Sequence, residues 1–325
     1  FLQLNNKAKV SVLSNFIEIF LLISPVFILI ILGNLLRRVR VPDLSFWHVS
    51  DKLIYWVLIP ALLFHHVSQI TLSSTMLANY AVVILSGLFV VTTLSFIAGK
   101  LFGYTPQIWT SVMQGAARHN AFIALAIAGS LFGDEGLALG AIFMVILIPI
   151  INIVIVSAMA STLNQDTDNN SRPGIFDVLF ELIKNPFILA IAAGLIISFV
   201  DTDRISIIHE TTGLLGSAAL PIMLLSIGAN IKIREISSTI TPIIIANVLK
   251  LLIFPIVVFF VAKSMNLSLF ETTIAVIFAA VPTAASSYSL AKQFGGETQL
   301  MTSIITIQVA LSFITIPIIL AFIAT

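Results

Sequence analysis

The chain has 325 residues, a formal net charge of +1 and a mean hydropathy of +1.10, with 58% of its residues hydrophobic and 10% charged. Soluble domains carry about 25% charge, so this composition is that of an integral membrane protein, and its near-neutral balance excludes a basic nucleic-acid surface. It has no cysteine, which removes disulfides and thiolate chemistry.

A membrane helix needs about 20 mostly apolar residues. Ten such stretches are expected, at 14–37, 47–69, 76–101, 106–132, 136–162, 176–200, 207–229, 237–262, 268–293 and 297–323. The first follows Lys7 and Lys9, but it is too long for a signal-peptide core and lacks a small-residue cleavage site, so it reads as a span. In the second, Asp51 lies near the start. His65 and His66 lie near its end, adjacent on a helix and therefore about 100° apart, with no third ligand nearby, so no metal site is expected.

The fourth span contains Gln114-Gly115-Ala116-Ala117-Arg118-His119-Asn120. A charge at mid-membrane costs at least ~2.5 kcal/mol on insertion scales, so Arg118 should face a cavity or a partner. A polar segment, 163–175, then reads as a flexible linker. The eighth span carries a second embedded cation, Lys250, followed by Pro255. It is expected to act in gating or proton linkage, with His119 and Asp51 as the other candidates. The ninth span reads Val281-Pro282-Thr283-Ala284-Ala285-Ser286-Ser287. A mid-span proline removes one backbone donor and crowds the preceding turn, and neighbouring hydroxyls can re-satisfy the freed carbonyls. Asn152 in the fifth span and Ser303, Thr306 and Gln308 in the tenth are polar groups that could face the same region.

The second half of the chain repeats the first. Pro25, Gly33, Leu53 and Pro60 are matched 161 residues later by Pro186, Gly194, Leu214 and Pro221, and Phe132-Gly133-Asp134-Glu135 returns 162 residues later as Phe294-Gly295-Gly296-Glu297. Copies of five spans each must be inverted relative to one another, the signature of a secondary transporter. The first copy is expected at 14–162 and the second at 176–323. Nine Lys and Arg residues flank the odd-to-even connections and four the opposite side, which puts the linker in the cytoplasm and both termini outside.

An offset of 162 sets Asn120 against Pro282, so each copy is expected to break a helix at mid-membrane. Two half-helix N-termini, each worth roughly half a positive charge, would meet there beside Arg118. The expected ligand is a small organic anion, most simply a carboxylate held by arginine, with Gln114, Arg118, Asn120, Pro282, Thr283, Ser286 and Gln308 as its contacts. No HExxH motif and no acid to orient Ser286, Ser287 or His119 is present, so an enzyme is not expected, nor a cofactor.

These segments resemble the auxin efflux carrier family, which includes bacterial malonate-type and plant PIN-type carriers. The resemblance covers nearly the whole chain and rests on Gln114–Asn120, Phe132–Gly136, Val281–Ala291 and Phe294–Gly296. It implies an all-α fold of ten spans in two inverted five-helix repeats with helices 4 and 9 broken and crossed. It also implies a scaffold of spans 1, 2, 6 and 7, a transport domain of spans 3–5 and 8–10, elevator-type movement of an organic anion, and a homodimer through the scaffold. The long cytoplasmic loop of many plant members is missing, the first break has no proline, and the third span has no acid to pair with Lys250. The bile-acid/sodium symporters are similar in architecture, but neither break carries an acid, so proton coupling is expected over sodium. A transporter-like sensor would normally carry an appended signalling domain, and none is expected.

Overall fold

The computed structural model describes residues 12–69, 74–163, 184–198, 206–231 and 239–324. Their backbone is helical, with no strand: α1 (Val12–Arg38), α2 (Leu44–Leu53), α3 (Ile59–Val67), α4 (Ser74–Leu101), α5 (Pro106–Ala117), α6 (Ala121–Leu163), α7 (Pro186–Ile197), α8 (Ser206–Asn230), α9 (Ile240–Val248), α10 (Phe254–Ser264), α11 (Leu269–Ala280), α12 (Ser286–Phe294) and α13 (Thr298–Ile323). Lipid offers no hydrogen bonds, so an apolar chain must satisfy its amides within each segment. Six stretches among the described residues are long and apolar enough to cross a membrane: Ser14–Arg38, Leu77–Leu101, Pro106–Leu163, Ser206–Asn230, Ile240–Ser264 and Thr298–Ile323. The third is interrupted after Ala117 and again inside α6, where Gly133 (φ 59°, ψ −140°) separates two helices. Pro186–Ile197 and Leu269–Ala280 are shorter and equally apolar. The linker expected over 163–175 lies, beyond Leu163, outside the described residues.

Two rods widen into single π turns, Ile54–Leu58 and Leu249–Ile253, each ending two residues before a proline, Pro60 and Pro255. Proline cannot donate to the carbonyl four residues back and its ring crowds that carbonyl. The wider turn instead lets the Ile59 amide donate to Ile54 O and the Phe254 amide to Leu249 O, five residues back.

The described helices group into two compact units. The first contains α1, α2, α3, α7, α8 and residues 122–145. There α1 and α8 touch backbone to backbone: a methyl group on Gly33 would overlap the Leu225 carbonyl, and one on Gly228 the Ile30 carbonyl. Asn34 Nδ2 donates to Gly228 O at 3.1 Å and Ile231 O at 3.2 Å, and Arg37 donates to Ala229 O. These bonds satisfy carbonyls that the end of α8 would leave open.

The second unit contains α4 from Ala78 on, α5, the remainder of α6 and α9–α13. Its core is Val112 of α5, Ile243 and Ala246 of α9, and Leu300, Met301 and Ile304 of α13. Buried Tyr80 of α4 donates to Glu271 Oε1 at 2.5 Å. The other Glu271 oxygen completes a capping box with Ser268 at the start of α11.

Local features recur along the chain. Helices α5 and α11 both have 12 residues and begin 163 positions apart, at Pro106 and Leu269. Left-handed residues recur too: Gly103 (φ 62°) with Asn266 (φ 56°), and Gly133 (φ 59°) with Gly295 (φ 74°).

Candidate functional site

Helix α5 stops at Ala117 and α6 starts at Ala121; α11 stops at Ala280 and α12 starts at Ser286. The two interruptions have different local causes. In the second, Pro282 pushes the preceding residue out of the helical region, and Val281 is extended at φ −65°, ψ 152°. In the first, Arg118 has nearly the same backbone, φ −69°, ψ 154°, with no proline near it. Its conformation is held from outside the segment. The helix offset of 163 pairs Arg118 with Val281, His119 with Pro282 and Asn120 with Thr283, one residue away from the Asn120–Pro282 pairing expected from sequence.

The interruptions are in direct contact. The Asn120 amide donates to Pro282 O at 2.7 Å. Thr283 Oγ1 donates to Gln114 O at 3.2 Å and shares a hydrogen bond with Ser287 Oγ at 3.3 Å. Gln308, fully buried on α13, ties both together. It accepts from the Thr283 amide at 2.8 Å and donates to Gly115 O at 2.9 Å and Ala246 O at 3.4 Å. Gly115 permits this closeness, because a Cβ there would lie 2.7 Å from Ile304 Cγ2.

Arg118 is half-buried and reaches two further elements. Nη1 donates to Asn152 Oδ1 at 3.2 Å and Nη2 to exposed Ser286 Oγ at 3.0 Å. The guanidinium therefore bridges α6 and the first residue of α12 within one unit, beside the two chain interruptions. Helix N-termini attract anions, and so does arginine. A sequence family described as membrane transport protein, that of the auxin efflux carriers and PIN-like carriers, matches residues 18–320.

The chain belongs to this family. No curated protein matches it. The protein is thus a multi-pass membrane transporter.

The transporter brings together nearly all the residues singled out from sequence. Gln114, Arg118, His119, Asn120, Lys250, Pro282, Thr283, Ser286 and Gln308 all lie in the second unit. Lys250 sits in the π turn, fully buried, with Nζ 4.6 Å from the Phe254 ring centroid. His119 is buried against Phe278, with ring centroids 5.8 Å apart, and lies within electrostatic reach of Lys250 and Arg118. Asp51 belongs to the first unit, where it accepts from Ser226 and, at 3.2 Å, from Asn230 Nδ2.

Two participants carried weaker sequence signals. Asn152 was one polar residue among several in its span, yet it is a direct partner of Arg118. Ser287 looked like a neighbour of Ser286 but turns inward to Thr283.

Proposed function

We propose that this transporter is a secondary carrier of a small organic anion, most simply a carboxylate, bound where the two interrupted helices meet. The observation that carries the reading is the main-chain bond from Asn120 to Pro282 with Arg118 alongside. In this reading a negative group of the cargo takes up the Arg118 guanidinium beside the two interruptions. The reading includes ten spans in two inverted repeats, supported by the recurring residues of the two halves and by the matched helices α5 and α11. It includes a scaffold of spans 1, 2, 6 and 7 and a moving domain of spans 3–5 and 8–10, working as an elevator. In support, α1, α2, α3, α7 and α8 share one compact unit; residues 122–145 belong to that unit as well. A cytoplasmic linker, external termini, proton coupling and a scaffold-mediated homodimer complete it.

Counterflow tests the carrier mechanism. Liposomes holding the purified transporter and unlabelled carboxylate should transiently concentrate labelled carboxylate from outside. Uptake that merely equilibrates would indicate a channel. A thermal-unfolding screen in which neutral solutes stabilise the protein and no carboxylate does would overturn the anion assignment.

A further inference from the structure

Three side chains at the interruptions are buried without hydrogen-bond partners among the described residues. They are Lys250 through Nζ, Gln114 through both amide atoms and His119 through both ring nitrogens. Their residue exposures are 0%, 0% and 7%. Gln114 lies on α5, four and five residues before Arg118 and His119 of the interruption, and α5 packs against the π turn carrying Lys250. Among the described acids of this unit, Glu271 is engaged by Tyr80 and Ser268, and Glu297 is exposed at the start of α13. No described carboxylate of this unit therefore balances Lys250. The Phe254 ring offsets part of the cost of its charge.

An unpaired polar group inside a protein is unfavourable, and apolar replacements of buried charges are commonly neutral or stabilising. A membrane-embedded amine held this way is a functional candidate. We infer that Lys250, Gln114 and His119 form an inner anion subsite, in which the carboxylate of the cargo supplies the counter-ion that Lys250 lacks. The Lys250 ammonium and Gln114 Nε2 donate to the carboxylate oxygens, and an N–H of His119 adds a third donor. Arg118, already donating to Asn152 and Ser286 on the more exposed side, receives the anion before it reaches this position. The inference rests on the anion-carrier reading above.

Direct binding of labelled malonate and labelled indole-3-acetate to the purified full chain tests it, in the wild type and in K250M, K250Q and K250R, alongside thermal unfolding of each. K250M and K250Q should leave the ligand-free midpoint unchanged or higher, while weakening binding of the preferred probe at least tenfold. K250R, which keeps the charge, should retain more affinity than K250Q. Wild-type binding that persists undiminished in K250M and K250Q overturns the subsite and leaves the anion reading standing. Equal loss in K250R and K250Q, with lowered midpoints in both, assigns Lys250 a purely structural role and also overturns it. Failure of both carboxylates to bind the wild type overturns the anion reading and the subsite together.

Discussion

Gln308 and Thr283 are joined side chain to main chain at 2.8 Å, and the same glutamine amide closes the Gly115 carbonyl on the other interrupted helix. One residue thus satisfies backbone groups that both interruptions would leave open. A buried group stripped of its partner costs about 1–3 kcal/mol. Gln308→Leu strips the Thr283 amide and the Gly115 carbonyl, so it should lower stability by about 2–5 kcal/mol. Thermal unfolding in detergent measures this. A midpoint equal to wild type would mean that the interruptions are held by other bonds.

Arg118 bridges two acceptors with two nitrogens of one planar group. Lysine offers a point charge without that fork. Arg118→Lys should therefore reduce initial uptake into proteoliposomes by about tenfold, a loss of ~1.4 kcal/mol, and Arg118→Ala by more. Ser286→Ala removes one exposed contact and should cost about threefold, within the range of a single modest hydrogen bond. Uptake by Arg118→Ala at the wild-type rate would take Arg118 out of the site.

The α1–α8 seam makes glycine irreplaceable for reasons of space. Gly33→Ala and Gly228→Ala each drive a methyl group into a main-chain carbonyl, and backbone cannot step aside as a side-chain tip can. Each should cost about 3 kcal/mol, the upper range for overpacking. Gly103→Ala meets no atom within 4 Å and suffers only from its φ of 62°, about 1–2 kcal/mol. The order of unfolding midpoints, with Gly103→Ala highest of the three, checks the argument.

Asp51 accepts from Ser226 and Asn230, both near the end of α8. Asp51→Asn should lower stability by about 1.5–3 kcal/mol, the range for hydrogen bonds to a charged group. Combining it with Ser226→Ala should cost less than the sum of the single changes, since both remove one contact. The pH dependence of uptake should keep its shape. A flattened pH profile in Asp51→Asn would instead make this carboxylate part of a proton path.

How much of this could be read from the amino acids follows from the range of each interaction. The six long apolar stretches were legible because apolar runs of the required length are a local property. The interruption at Pro282 was legible for the same reason, since proline acts on its own turn. The one at Arg118 was legible only through the repeat and an embedded charge. Its geometry depends on Asn152, Ser286 and Pro282, which lie 34 and 168 residues away in the first two cases. The one-residue shift in pairing, from Asn120–Pro282 to Asn120–Thr283, reflects offsets that drift between 161 and 163 along the chain. The partners of Asp51 are 175 and 179 residues distant, and no local pattern announces them. The π turns left a faint trace in Pro60 and Pro255, which alone do not distinguish a widened turn from a kink.

The π turn at Leu249–Ile253 also fixes what kinds of change this part of the gene can absorb. It amounts to one surplus residue threaded into a helix. Excising one apolar residue there would let the helix close with regular winding and keep everything downstream in register. Phe254, Val258 and Ala262, now 2%, 0% and 0% exposed, would keep their faces toward the core. A single-residue deletion between 249 and 253 should therefore be far better tolerated than one in a regular turn of the same rod, where every downstream residue would rotate by about 100°.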